Sequence, residues 1–142
     1  MDATAAYAIS ASGLRAQRLR MDVIAANLAN AQSTRTPEGG PYRRHEVVLE
    51  AQPTSGTFED ALNSSNPGVR VARIVADDRP PQLVFDPGHP DADAKGYVAM
   101  PNVNVVTAMV DMMAATRAYE ANVAALNATK RLLEAALEIG RS

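Results

Sequence analysis

Apolar and small residues recur at alternating spacings of four and three in two long segments, one towards each end of the chain. The first runs from about Thr4 to Asn30 through Ala5, Ile9, Ser12, Ala16, Leu19, Val23, Ala26 and Asn30. This is the heptad stripe of a helix that packs along a partner, built largely from small side chains. Leu14, Met21 and Leu28, seven apart, draw a second apolar line on another face. Two lines predict contact with more than one neighbour. Gly13, inside this helix, costs about 1 kcal/mol relative to alanine, which makes sense if it permits a close approach.

The second segment is the more regular. Val105, Met109, Met112, Thr116, Tyr119, Val123, Leu126, Lys130, Leu133 and Leu137 keep the four–three alternation unbroken, with only Thr116 and Lys130 polar. Asn104 is placed to cap the start and Gly140 to end it. At about 1.5 Å per residue, the stripe from Val105 to Leu137 is about 50 Å long.

All nine prolines lie from Pro37 to Pro101, with six of the eight glycines. Proline breaks helices, so the chain divides into an N-terminal helix with the start of a turn (1–36), a β-containing middle (37–101) and a C-terminal helix (102–142). Strand signals fall at 46–49, at 69–75 with clear period-two alternation, and at 82–85. The turns Glu38-Gly39-Gly40-Pro41, Asn66-Pro67-Gly68 and Asp86-Pro87-Gly88 separate them, and the polar stretch from Gln52 to Ser65 is expected to be a loop at the outer edge. The predicted fold is mainly α with a small β-rich insertion, its two long helices pairing as a coiled-coil-like hairpin.

A stripe of that length left uncovered would expose on the order of 500 Å² of apolar surface, at the upper end of what a monomer shows. Pairing the two helices antiparallel would hide it. Three features weigh against a hairpin complete in itself. The first helix has apolar lines on two faces. Its ten alanines among residues 1–31 each bury little area, so stability must come from many contacts. Asn27, Asn30, Asn122 and Asn127 sit on or beside the packing faces, where a buried asparagine fixes register at some cost in stability. Two roles are open for Asn27 and Asn30, capping the helix end or bonding across to a neighbouring subunit. Asn30 can cap it in a left-handed conformation, and for Asn27, a turn earlier, a bond across the packing face is preferred.

Composition excludes several functions. At 142 residues the chain fits one domain, and aromatics are only 4% with no tryptophan. Ala, Leu, Val and Met must form the core, which favours close helix packing. A net charge of −2 gives no electrostatic footprint for nucleic acid. There is no cysteine for disulfides or thiolate metal sites. The N-terminus lacks a secretory signal's basic start and apolar run, and no stretch reaches the roughly 18 apolar residues that span a bilayer, so no direct membrane insertion is expected.

Nor do the residues assemble a recognisable reaction centre. Asp91-Ala92-Asp93-Ala94-Lys95-Gly96 begins like a calcium loop. However, Lys95 stands at the third ligand position and Asn102 where a bidentate Glu is required; the segment reads as a turn. His45 and His89 lack a triad's sequence context. Asp77-Asp78 beside Arg79-Pro80-Pro81 reads as a solvated loop, and Arg43-Arg44-His45 as a solvated face or subunit salt bridge. Neither catalysis, a metal nor a cofactor is expected.

Three runs then fit together: Ser12-Gly13-Leu14-Arg15-Ala16-Gln17, Ala26-Asn27-Leu28-Ala29-Asn30-Ala31, and Thr34 with Tyr42-Arg43-Arg44. They resemble the N-terminal signature of the bacterial flagellar rod and hook proteins. His89-Pro90-Asp91-Ala92-Asp93, Gly96 to Asn104, Met109-Val110-Asp111-Met112 and Arg117 to Val123 resemble the proximal-rod members in particular. The likeness covers effectively the whole chain. Gln32 to Pro37 is longer than the tight turn of hook and distal-rod relatives, so their loop contacts do not transfer.

The resemblance implies a structural subunit that stacks helically into a hollow, periplasm-spanning rod and transmits torque from motor to hook. Its partners would be itself, other rod proteins, the basal-body base and the export apparatus, which it would cross without a cleaved signal. Subunit contacts are expected at Ile9, Leu14, Leu19, Met21, Val23, Asn27, Leu28 and Asn30 on the first helix. On the last they are expected at Met109, Met112, Tyr119, Asn122, Val123, Leu126, Leu133 and Leu137. Two alternatives stay open: a small helical-hairpin binding module, and another short rod subunit of the same family.

Overall fold

A computed structural model describes residues 3–52 and 68–140. Six elements follow in order: α1 (Ala3–Ala29), β1 (His45–Gln52), β2 (Gly68–Ala76), β3 (Gln82–Phe85), β4 (Tyr97–Met100) and α2 (Val105–Ile139). The mainly α fold with a small antiparallel β insertion matches the architecture expected from the pattern.

Local side-chain bonds cap the start of α2 and close the end of α1. The Asn104 side chain accepts the Thr107 N–H at 3.0 Å, capping α2. At the other end Gly140 stays right-handed, with φ −75° and ψ −8°. Gly140 is the C-cap that ends the helix, as expected, its N–H bonded back to Ala136 O and Glu138 O without a left-handed conformation. Asn30 also stays out of the left-handed region, because among the described residues only glycines have positive φ. It closes α1 with its side chain instead: Nδ2 donates to Ala26 O at 2.9 Å and Oδ1 accepts from the Ser33 hydroxyl at 3.1 Å.

α1 lies between two partners of its own chain. α2 runs antiparallel along one side, and the β1–β2 sheet covers another. In that sheet Val48 pairs with Arg73 but Leu49 with Val71, so Ala72 is the extra residue of a bulge. Glu50 and Arg70, directly opposite, form an ion pair. The Ser12 hydroxyl accepts the Val69 N–H at 3.0 Å and donates to Ile9 O at 2.7 Å, tying the start of β2 to α1. β1 continues to Gln52, further than its sequence signal; the rest of the expected loop, 53–65, lies outside the described residues.

β3 pairs antiparallel with β4, a strand with no signal in the pattern. It is only four residues long between Gly96 and Pro101, too short for a period to show. The turn before it is built from the calcium-like segment. Asp93 Oδ1 accepts the N–H groups of Lys95 and Tyr97 at 2.8 and 2.9 Å. Gly96 adopts φ +81°, and a Cβ there would come 2.9 Å from the Phe85 ring. Asp91 accepts from the Thr34 hydroxyl at 2.8 Å and pairs with Arg35, pinning this turn to the segment after α1. The Thr34 hydrogen bond first, then the charge of Arg35, holds the Asp91 carboxyl below the usual carboxylate range.

Asp77 departs from the solvated reading. Its side chain is 11% exposed and grips Arg79 through both carboxylate oxygens. The Arg79 side-chain and backbone hydrogen bonds lower its pKa to about 2. Arg43 and Arg44 pair within the chain, with Asp78 at 3.4 Å and Glu46 at 2.9 Å.

Candidate assembly interface

The seam between the helices is made of small residues. Gly13, Ala16, Ala108 and Ala115 are all buried, letting the backbones approach. Asn122 fills the space over Gly13: a Cβ there would lie 2.8 Å from Asn122 Oδ1 and 3.0 Å from both Cγ and Nδ2. This is the close approach that Gly13 implied. Gly13→Ala should therefore gain less in the wild-type chain than the ~1 kcal/mol that alanine is worth in a helix, because the Asn122 amide must shift and give up its bond to Ala118 O. In an Asn122→Ala background the same change should stabilise by about 1 kcal/mol. Equal effects in the two backgrounds, measured by urea denaturation, would refute the contact.

The seam is rotated relative to the expected stripe. On α2 the deepest positions are Ala108 and Ala115, with Asn122 following seven residues on, rather than the line of larger residues from Val105 to Leu137. Close packing selects the smallest side chains for the centre and moves the larger ones to the flanks. Met112 packs against the cluster of Ile24, Ala108 and Ala115, as do Met21 and Leu28 from α1. The second apolar line of α1 thus meets α2 of its own chain through Met21 and Leu28, where another neighbour was expected. Ile9 and Val23, from the first line, border hollows shared with β1 residues such as Leu49. Leu14, Leu19, Tyr119, Val123, Leu126 and Leu133 are half-buried along the flanks.

Asn27 is 4% exposed, and its side chain is used within the chain. Nδ2 donates to His45 O at 2.8 Å, while Oδ1 accepts the His45 N–H at 2.9 Å and the Tyr42 hydroxyl at 3.1 Å. His45 Nδ1 lies 3.1 Å from the same Tyr42 oxygen. Since that hydroxyl's proton is committed to Asn27, Nδ1 must donate and carries a proton. Burial pushes the Tyr42 phenol up. Asn27 therefore anchors the first residue of β1 to α1 within its own chain. Sequence reasoning does not find Tyr42 and His45 as its partners, because 15 to 18 residues and a turn of unpredictable path intervene.

What remains uncovered is the opposite face of α2. Val106, Val110 and Met113 are 72%, 59% and 59% exposed, with Val105 and Met109 exposed beside them. These five span little more than two turns, so they form one apolar strip along the helix. Leu132, Leu137 and Ile139 are exposed at its far end. On the β3–β4 hairpin Leu83, Val84, Phe85 and Tyr97 are exposed, with the Phe85 and Tyr97 rings edge to face at 5.3 Å. Among the described residues no helix is long and apolar enough to cross a membrane, so a bilayer-spanning helix does not account for the strip.

Comparison with known proteins agrees with the sequence resemblance. Residues 8–35 match the family described as flagella basal body rod protein, and residues 94–139 the flagellar basal body rod FlgEFG protein C-terminal family. Similar curated proteins are each named flagellar basal-body rod protein FlgC. That of Bacillus subtilis is 49% identical over 94% of this chain and 95% of its own length. The Borreliella burgdorferi protein is 48% identical over 92% and 93%, and one from Escherichia coli 44% over 95% and 96%. Likeness at this level, along almost the full length of each, joins the helical seam and its uncovered strip to one family: the chain belongs to the flagellar basal-body rod proteins, in the FlgC proximal-rod group, and is a structural subunit of that rod.

Proposed function

We propose that this subunit assembles helically with copies of itself and with other rod subunits into the hollow shaft that crosses the periplasm and carries torque to the hook. The observation that carries this reading is the apolar strip of α2. Among the described residues nothing covers it, whereas α1 has a partner on each of its two faces. Met109 and Leu137, exposed in the single chain, are proposed as direct subunit contacts. They are joined by Val105, Val106, Val110 and Met113, which were not among the expected set. The half-buried flanking residues Leu14, Leu19, Tyr119, Val123, Leu126 and Leu133 are proposed to complete the contact surface. The role is mechanical rather than catalytic, and the chain reaches the rod through the flagellar export apparatus without a cleaved signal.

The test is fractionation in the native bacterium. Purified basal bodies should contain the chain at its full mass, N-terminal methionine region included, and deleting its gene should abolish swimming. Finding the chain only in the cytoplasm, or shortened at its N-terminus in the rod, would count against the reading.

A further inference from the structure

The antiparallel seam leaves one end of the hairpin longer than the other. Gly13 seats Asn122, and Thr116 contacts Met21. Continued residue for residue, that pairing brings Ala3, the first described residue of α1, level with about Leu132. α2 runs on to Ile139. Its last two turns therefore project past α1, carrying Leu137 at 68% exposure, with Leu132, 70% exposed, at their base. Arg131, just before this stretch, and Glu138, within it, form no ion pair with any described residue.

The other end of the hairpin holds a groove. It has a volume of about 390 Å³ and lies between the C-terminal half of α1, β1 and the start of α2. Val23, Val47, Leu49 and Ala108 give it an apolar lining, and Arg20 and Asp111 contribute one charge of each sign. Both are half-buried, and neither has an ion-pair partner among the described residues. Arg44, which also lines it, is already paired with Glu46.

A projecting apolar tail and a receiving apolar groove thus occupy opposite ends of one chain. Among the described residues, the tail brings one charge of each sign outside an ion pair to a groove that offers one of each. A contact of this kind between copies is heterologous, and heterologous contacts that do not close generate open helical polymers. Resting on the rod reading above, we infer that the groove receives the last two turns of α2 from a second copy of this chain. Leu137 enters the space among Val23, Val47 and Leu49, and Glu138 pairs with Arg20. Asp111 faces the tail's Arg131, about two turns before Glu138.

Charge reversal in the native bacterium tests the pairing. Arg20→Glu and Glu138→Arg, each alone, places like charges in the contact. Each should abolish most swimming while the purified chain keeps its wild-type melting temperature. The double variant restores opposite charges and should recover swimming and the yield of basal bodies. Single variants that swim normally would overturn the inference, and so would a double variant no better than the singles. Whether the wild-type chain is found in purified basal bodies tests the rod reading separately, so the two can fail independently.

Discussion

Asn27→Leu is expected to lower the stability of the isolated chain by about 2–4 kcal/mol, because it leaves several buried polar groups unpaired at once. The leucine has similar bulk but can neither accept the Tyr42 hydroxyl and the His45 N–H nor donate to the His45 carbonyl. The start of β1 would lose its tie to α1, and the melting temperature should fall by roughly 10 °C for a chain of this size. Asn127→Leu is the control, since Asn127 is exposed on α2 and should change stability by no more than about 0.5 kcal/mol. Tyr42→Phe removes only one member and should cost about 1 kcal/mol. An Asn27→Leu chain as stable as wild type, but defective in assembly, would return Asn27 to the subunit interface.

Val110→Asp should have the opposite profile. In the single chain Val110 is 59% exposed, so the substitution should leave the folded monomer within about 0.5 kcal/mol of wild type. In an assembled rod the same position would bury an unpaired carboxylate, which costs several kcal/mol, repeated at every subunit. Rods should fail to form and swimming should be lost, whereas Val110→Met should assemble normally. If Val110→Asp swims, the strip is solvent-facing in the rod.

The contrast between these two variants follows from what pattern can and cannot supply. The length of both helices, the Asn104 cap, the Gly13 approach and three of the four strands are legible, because each rests on local preference or on period. The rotation of the seam is not. A stripe of larger apolar residues is the stronger pattern, yet Ala108, Ala115 and Gly13 lie at the centre because backbones come closest where side chains are smallest. Period alone cannot say which of two neighbouring lines faces inward when alanines flank both. The two apolar lines of α1 do mark two contacts. Pattern pairs one line with the other helix and leaves the second without a partner in the chain, because nothing in a short β insertion announces that it will fold back over the helix.

Asn27 illustrates the same limit. An asparagine on a helical face signals a buried hydrogen bond, but its partners, Tyr42 and His45, are fixed by the path of the intervening turn. That turn is itself held by Thr34 and Arg35 on Asp91, 57 and 56 residues away. The uncovered strip of α2 is only partly legible: Met109 stands in the expected contact set, while Val106, Val110 and Met113 fall off the stripe and carry no signal of their own.

The most direct measurement of whether that strip is the assembly surface uses the absence of cysteine from the sequence. Val110→Cys or Met113→Cys introduces a single thiol whose accessibility can be read with a maleimide in two states of the same protein. The purified chain should label rapidly, and basal bodies purified from the native bacterium should be protected until dissolved in denaturant, when labelling becomes complete. Equal labelling of chain and intact basal bodies would mean that the strip stays exposed in the rod and that the subunits meet through some other surface.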